Sequence, residues 1–175
     1  MDYNEILDFL KENQPFPDDE NIKEYEIDMY ADAVKYLDEV YSDEKCIPLL
    51  LNCFGDWFTY DINKHVEFII CKFDKELVLP HLRQALRSNN KYVRYWACQY
   101  AMSFPDKSLI DGLKEIIKNK KENDNDTRLS AVTALTLINN SDVKFYLEKM
   151  DLRCEDNEFI EQFMEILDEE GFSHI

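Results

Sequence analysis

Glycine and proline are scarce in this chain, with three Gly and five Pro among 175 residues. Because turns between strands draw heavily on these two residues, their scarcity argues against a many-stranded sheet. Apolar residues make up 45% of the sequence, which argues against global disorder although 33% of the residues are charged. The composition therefore favours one domain of long helices joined by short connections.

Long apolar runs are also missing, and none approaches the roughly 20 residues that a membrane-spanning helix needs. The first ten residues are acidic and lack the basic segment of a secretion signal. The five cysteines are odd in number and form no Cys-x-x-Cys motif. Four of them lie in apolar helical patterns, where Cys acts as a small hydrophobic residue. We therefore expect a reduced, cytoplasmic protein.

Basic residues are also fewer than acidic ones, with 20 Lys and Arg against 37 Asp and Glu, which gives a net charge of −17. Residues 1–61 hold 17 acidic and 4 basic residues, and residues 151–175 hold 9 acidic and 1 basic. Residues 62–150 hold 11 acidic and 15 basic, so two acidic ends flank a mildly basic middle. Such ends would repel nucleic acid and anionic membranes and attract a basic partner, although solubility explains the charge equally well.

Motifs for catalysis or cofactor binding are absent from the sequence, which has no Gly-rich phosphate loop, no GxSxG and no HExxH. His65 and Cys71 are six residues apart on one predicted helix, so they point to nearly opposite faces and cannot hold one ion. His81 has no ligand partner three or four residues away. We therefore expect no enzymatic activity, no cofactor and no metal site.

The helical pattern is clearest in residues 91–119. Two amphipathic segments there are separated by Pro105, which ends the first helix, and Asp106, which can cap the second. Each helix is too short to be stable alone, so the pair requires neighbours of the same kind. The predicted inward residues are Val93, Ala97, Tyr100, Ala101, Phe104, Leu109, Leu113, Ile116 and Ile117.

Further helices are predicted on both sides of this pair, including a long one over about residues 20–41. Pro80 lies deep in its helical segment and predicts a kink or a late start. Residues 118–126 lack apolar side chains and are predicted to form a mobile loop. Gly55 and Gly171 are predicted to end helices. The predicted N-terminal caps are Asp2 with Glu5, Ser42 or Asp43, Asp61, Asp74, Asp126 and Ser141.

The predicted helix pairs recur with a period in the low thirties, since Pro48 and Pro80 are 32 residues apart and Arg94 and Arg128 are 34 apart. Two-helix units of this period are typical of α-solenoids. The pattern V-R-x-x-A-x-x-A-L is matched by Val93, Arg94, Ala97 and Ala101 and by Arg128, Ala131, Ala134 and Leu135. The pattern I-P-x-L-x-x-x-L is matched by Ile47, Pro48 and Leu50 and by Leu79, Pro80, Leu82 and Leu86. On these residues the chain resembles the HEAT-repeat family over about residues 46–150.

The resemblance implies an all-α fold, a short right-handed α-solenoid of HEAT-like antiparallel helix pairs in one domain. Residues 1–41 would form an irregular N-terminal helix pair, residues 42–151 the repeats, and residues 152–175 an acidic capping helix. One unit departs from the family pattern, because Lys64 stands where Arg is expected.

Two surfaces are candidates for binding a protein partner. The corner at residues 54–61 interleaves four aromatic residues with two aspartates, as in a hot spot for a basic protein. An acidic ridge is predicted on the helix over residues 20–41 and includes Asp38 and Glu39. Rings folded under a neighbouring helix and a solvated acidic face are the more common arrangements for such residues. The predicted partner-binding residues are Asp56, Trp57, Tyr60, Asp61, Glu24, Asp28, Asp32 and Tyr95.

We expect the chain to bind and neutralise a basic protein. A small acidic solenoid resembles the immunity proteins that bacteria pair with polymorphic toxins, which implies a cognate toxin as partner. A scaffold or adaptor that holds a peptide or helix in a concave groove is the first alternative. A nucleic-acid enzyme like the HEAT-like DNA glycosylases is the second, although a net charge of −17 would repel phosphate. Its basic segment would comprise Arg83, Arg87, Lys91, Arg94 and Arg128.

Overall fold

The computed structural model describes residues 2–15, 21–40, 43–55 and 60–172, with only the backbone described for residues 60 and 61. Within these ranges the structure contains ten α-helices and one turn of 3-10 helix, and no strand. The all-α prediction is therefore confirmed. No helix among the described residues combines the length and apolar character needed to cross a membrane.

The chain divides into two compact units, Met1–Trp96 and Ala97–Ile175. In the first unit, α1 contacts α2 and α3, α2 contacts α4, and α3 contacts α5. Three of these four contacts join a helix to the next but one along the chain. The helices of this unit are α1 (Tyr3–Glu12), α2 (Glu24–Glu39), α3 (Cys46–Asn52), α4 (Tyr60–Ile70), α5 (Lys75–Ala85) and the first part of α6 (Lys91–Ser103).

The second unit is built around α8, which contacts α7, α9 and α10. The helical period predicts one buried face for α8, formed by Leu129, Val132, Leu135 and Ile138. The structure buries these residues and also residues on the other faces, including Arg128, Ser130, Ala131 and Ala134. The small side chains at three of these positions let neighbouring helices approach closely. After α6 come a 3-10 turn (Lys107–Leu109), α7 (Ile110–Lys118), α8 (Asn125–Thr136), α9 (Ser141–Glu148) and α10 (Asn157–Glu169).

The predicted central helices are confirmed. All nine residues predicted to point inward from α6, the 3-10 turn and α7 are buried. Asp106 accepts a hydrogen bond from the Ser108 N–H at 2.8 Å and so caps the 3-10 turn that leads into α7. α6 ends two residues before Pro105, because the residue before a proline is driven out of the helical region.

The start of α1 follows the prediction, whereas the starts of α3 and α2 differ from it. Asp2 accepts from the Glu5 N–H at 3.0 Å while the Glu5 carboxylate accepts from the Asp2 N–H at 2.7 Å, which is the predicted capping box. Asp43 is not the cap of α3, because the N-cap position is Lys45, which makes no side-chain capping hydrogen bond. Asp43 instead accepts from the Lys45 N–H at 2.8 Å, in the turn before the helix. Its predicted alternative, residue 42, lies outside the described ranges. α2 begins later than predicted, where the Lys23 N–H donates to Glu26 Oε2 at 2.9 Å.

Two predicted caps are wrong by one or two residues. Asp124, and not Asp126, caps α8 by accepting from the N–H three residues on at 2.9 Å. Asn140, and not Ser141, caps α9 by accepting from two N–H groups of its first turn. In both places more than one neighbouring residue has a side chain that is able to cap. The residue that does so has an extended backbone, which lets its side chain reach the N–H groups of the first turn.

Other boundaries also differ from the sequence pattern. Asp61 is the second residue of α4 and not its cap. Asp74 occupies the N-cap of α5, but its side chain makes no capping hydrogen bond. α5 begins five residues before Pro80, so the late start is wrong. Gly55 does not adopt the positive φ of a C′ residue, whereas Gly171 does, with φ of 71°, and ends α10 as predicted.

The polar segment between α7 and α8 is a loop, as predicted, but it is anchored by its own side chains. Asn123 is only 5% exposed. Its side-chain amide donates to the carbonyls of Ile116 and Asn119, both at 3.2 Å. The Ile116 carbonyl lies in the last turn of α7, where no intrahelical N–H remains to bond it, whereas the Asn119 carbonyl, just after α7, also accepts from the backbone N–H groups of Glu122 and Asn123. An amide therefore anchors this loop where the sequence offers no apolar side chain to do so.

Candidate functional site

One face of α2 carries a row of exposed carboxylates. The opposite face is fixed against the core by four buried residues, Tyr30, Ala33, Val34 and Leu37. Residues four apart lie on the same side of a helix, so Glu24, Asp28 and Asp32 share the outward face. All three are exposed, and none forms an ion pair with any residue in the described ranges. We call these three residues and Glu39, also exposed on this face, the acidic ridge.

The structure excludes Asp38 from the ridge. Its Oδ1 lies 2.6 Å from Lys72 Nζ, and Lys72 Nζ also donates to the Asp38 carbonyl at 2.7 Å. His65 Nδ1 lies 4.0 Å from the other carboxylate oxygen of Asp38. Both partners belong to the region of α4, which packs on α2. Asp38 therefore forms an ion pair within the protein, while the ridge carboxylates remain available to a partner.

A pocket of about 410 Å³ lies beside the ridge. Its lining includes the buried Ile6 of α1 and the half-buried Met29 and Tyr36 of α2. Two exposed carboxylates and one exposed lysine complete the lining, namely Asp32, Glu39 and Lys35. A lysine or arginine side chain can lay its methylene stem against Met29 and Tyr36 while its charged end reaches a carboxylate. The pocket thus has the chemistry of an anchor site for one basic side chain of a partner.

Sequence reasoning missed Met29 and Tyr36 as site residues. They are seven residues apart and flank Asp32 on the helix surface, a spacing that marks an apolar stripe beside the acidic one. Tyr25, at the start of the same face, is 54% exposed. Its hydroxyl lies 3.2 Å from Glu26 Oε1, within hydrogen-bonding distance. The ridge is therefore bordered by aromatic and thioether groups that suit protein contacts.

The second predicted surface, the aromatic corner, is only partly described. Asp56 and Trp57 lie outside the described residues, and the side chains of Tyr60 and Asp61 do as well. Those four predictions remain predictions. Phe54, at the start of the corner, is 2% exposed, so its ring belongs to the core.

Tyr95 does not join the acidic ridge. It is half-buried on α6, and its ring packs edge-on against Trp96 at a centroid distance of 5.5 Å. Trp96 in turn stacks on Phe54, also at 5.5 Å. Tyr95 therefore belongs to an aromatic cluster of the first unit, and its ring is only partly exposed. Its role in partner binding remains a prediction.

Two of the five basic residues predicted to form a nucleic-acid surface are buried. Arg94 is 7% exposed and donates from Nη1 to the Ser88 carbonyl at 2.7 Å. Arg128 is 2% exposed and donates from Nε to the Ile117 carbonyl at 2.8 Å. These guanidinium groups bind the protein's own backbone, so they do not face a phosphate. Within the described ranges no group of three or more His, Cys, Asp or Glu could hold a metal ion.

The sequence matches no protein-family model and no curated protein. The geometry of α2 and the contacts between helices are therefore the observations that bear on function.

Proposed function

We propose that this chain is a protein-binding module that docks a basic protein on the acidic ridge of α2. The observation that carries the proposal is the row of exposed carboxylates at Glu24, Asp28 and Asp32, which have no basic partner among the described residues. Like charges four residues apart destabilise a helix by about 0.2–0.5 kcal/mol per pair. Glu24, in the first turn of α2, is favoured by the helix dipole, but Asp28 and Asp32 lie beyond that turn. All three carboxylates complement a basic surface.

The length of the ridge supports a protein partner over a small cation. At about 1.5 Å per residue, Glu24 and Asp32 are about 12 Å apart along the helix axis, and Glu39 lies about 22 Å from Glu24. Such a row spans several basic side chains of a partner, and the pocket beside Asp32 can hold one of them. The rest of the ridge would act mainly on the rate of association, because exposed charges steer encounter more than they add affinity.

The HEAT-like solenoid is part of the same proposal. It is supported by the contacts of α1 with α3, α2 with α4, α3 with α5 and α8 with α10, because stacked helix pairs bring alternate helices together. A second support is that Arg94 and Arg128, which match the same repeat position, both donate to a backbone carbonyl that precedes their helix. The predicted divisions at residues 41–42 and 151–152 remain predictions.

The finer proposal is an immunity protein that covers the basic active-site face of a cognate bacterial toxin. It is supported by the net charge of −17, of which residues 1–61 contribute the larger part. Steered association of oppositely charged proteins reaches about 10⁸–10⁹ M⁻¹s⁻¹, which suits an inhibitor that must act before its target. The five cysteines form no disulfide, which is compatible with the reducing cytoplasm, where such an inhibitor would meet the toxin.

The test is binding to the product of the adjacent reading frame, with the rate of association measured between 50 and 500 mM salt. The ridge variant E24K/D28K/D32K should lower the association rate at least tenfold and raise Kd at low salt. The matched control is E158K/E161K/E165K, which makes the same charge change at exposed positions of α10. If the control weakens binding as much as the ridge variant, then net charge and not the ridge is responsible.

Other outcomes separate the alternatives. The absence of both a complex and rescue from toxicity on co-expression would end the proposal of an immunity protein. Binding that is unaffected by salt and by the ridge variant would favour the adaptor with an apolar groove. The burial of Arg94 and Arg128 argues against the nucleic-acid enzyme, and a gel-shift at low salt with duplex DNA would test it directly.

A further inference from the structure

A second pocket, of opposite charge, lies in the second unit between α7, α9 and the segment that follows α9. Its volume of about 660 Å³ falls within the range of ligand-binding clefts. Four lysines and three large apolar or aromatic side chains belong to its lining. They are Lys114 and Lys118 from α7, Lys120 just after α7, Phe145 and Tyr146 from α9, and Lys149 and Met150 from the segment after α9. We call this site the basic pocket.

Apolar groups in the basic pocket are left open to solvent. Phe145 is 66% exposed, the most exposed of the large apolar residues in the described ranges. Met150 is half-buried beside it, and the buried Ile117 also lines the pocket. Burying an aromatic side chain is worth roughly 1.5–3 kcal/mol. A partner that covers Phe145 would therefore gain binding free energy, because it would bury apolar surface that is exposed in the second unit.

Three of the four lysines of the basic pocket carry uncompensated charge. Lys114 Nζ lies 4.5 Å from the centroid of the Tyr146 ring, and Lys118 Nζ lies 5.5 Å from it. Neither of them, nor Lys149, forms an ion pair with a residue in the described ranges. Burial raises the pKa of the Tyr146 phenol, so this group is neutral near pH 7 and does not balance the two ammonium groups.

Most of the nearby carboxylates are already bound within the protein. Glu155 Oε1 lies 2.9 Å from Lys120 Nζ and 2.8 Å from Arg128 Nη2. Asp151 is paired with Arg153 at 2.6 Å. Only Asp142 among the lining carboxylates has no ion pair with a described residue. The pocket is thus positive in a chain whose net charge is −17.

We propose that the basic pocket binds an acidic peptide segment of a partner protein, with one aromatic or large aliphatic side chain of the peptide seated against Phe145 and Met150. The lysines would pair with carboxylates on either side of that side chain. A nucleic-acid backbone or free phosphate would use the lysines but not the open apolar surface. The proposal is independent of the acidic ridge, because it concerns other residues and a partner segment of opposite charge.

The binding test uses the full chain and a fluorescein-labelled nine-residue peptide of Asp and Glu with one central Trp, measured by fluorescence anisotropy. The variant K118E/K149E should raise Kd at least tenfold, while K107E/K121E, which makes the same charge change at exposed residues outside the pocket, should have little effect. F145A should also raise Kd at least fivefold. Its control is L137A, since Leu137 is 40% exposed and does not line the pocket.

A second measurement uses a thiol of the protein itself. Cys154 is exposed and lines the basic pocket, and Cys71 is exposed on the first unit. Both should react with a maleimide, and mass spectrometry separates the two products. Bound peptide should slow the labelling of Cys154 at least threefold and leave that of Cys71 unchanged.

Several results would overturn the proposal. Equal weakening by the pocket variant and by K107E/K121E would mean that the peptide senses only the overall charge. Equal binding of a peptide with Ser in place of Trp would mean a simple anion site. Protection of Cys154 by duplex DNA or by inorganic phosphate, without protection by the peptide, would assign the pocket to those ligands instead. A peptide that does not bind at all would also refute the proposal.

Discussion

Replacing Arg128 by alanine should destabilise the protein strongly, because this buried guanidinium holds three elements together. Its Nε donates to the Ile117 carbonyl of α7 at 2.8 Å, and its Nη2 donates to Glu155 Oε1 at 2.8 Å. The guanidinium carbon also lies 4.0 Å from the centroid of the Phe159 ring of α10. The side chain is 2% exposed, and that of Glu155 is 6% exposed.

The expected loss in free energy of unfolding follows from the groups that R128A leaves without a partner. Removing one partner of a buried ion pair costs about 3–5 kcal/mol, because the other charge stays desolvated. Lys120 Nζ remains 2.9 Å from Glu155, which places the cost toward the lower end of that range. An unsatisfied buried carbonyl, here that of Ile117, costs about 1–3 kcal/mol when it stands alone. These costs overlap, so we expect about 3 kcal/mol in total, which for a chain of this size is about 6–12 °C in Tm.

The assay is urea unfolding followed by circular dichroism. R83A is the control, since Arg83 is an exposed residue of α5, and should change the free energy of unfolding by less than about 0.5 kcal/mol. R128K should fall between R128A and the unmodified protein, because an ammonium keeps the charge but cannot make the same fork of hydrogen bonds. The double variant R128M/E155M should recover at least half of the loss, since no buried charge remains. A cost below about 1 kcal/mol for R128A would refute the reasoning.

Three further predictions test other parts of the fold. Burial opposes ionisation of Glu155, but hydrogen bonds from Arg128 and Lys120 outweigh this effect and hold the pKa of Glu155 below its ordinary value. In the unfolded chain the pKa of a glutamate is about 4.3. The stabilisation that ionised Glu155 gives the folded protein should therefore be present above that pH and be lost as pH falls through the lower pKa of the folded state. The difference in urea midpoint between the protein and E155Q should therefore shrink from pH 7 to pH 3. N123A should lower the free energy of unfolding by about 1–2 kcal/mol, because the Ile116 carbonyl of α7 loses its side-chain donor, whereas the Asn119 carbonyl keeps the backbone N–H groups of Glu122 and Asn123. An unchanged urea midpoint would contradict the anchoring role. G171A should cost about 1 kcal/mol through its positive φ alone, since no atom lies within 4 Å of the added Cβ, and G171N should cost less in the same assay.

The acidic ridge shows how far a sequence pattern reaches toward a site. The four-residue spacing of Glu24, Asp28 and Asp32 opposite an apolar face is a local property, so their exposure could be predicted. Asp38 fits the same acidic pattern but pairs with Lys72, 34 residues away. A pairing over that distance depends on how α2 packs against the α4 region. For the same reason the pocket beside Asp32 was not predicted, because it also requires Ile6 of another helix.

The helices, most of their inward faces and the acidic character of the ends can be predicted from the sequence, because periodicity, capping and charge act within a few residues along the chain. The packing between helices, in contrast, buries α8 on several faces and makes Arg128 a core residue. It also brings four lysines together with exposed apolar groups in the basic pocket. Burial and ion pairing of this kind depend on which helices pack together, and a helical period carries no information about that choice.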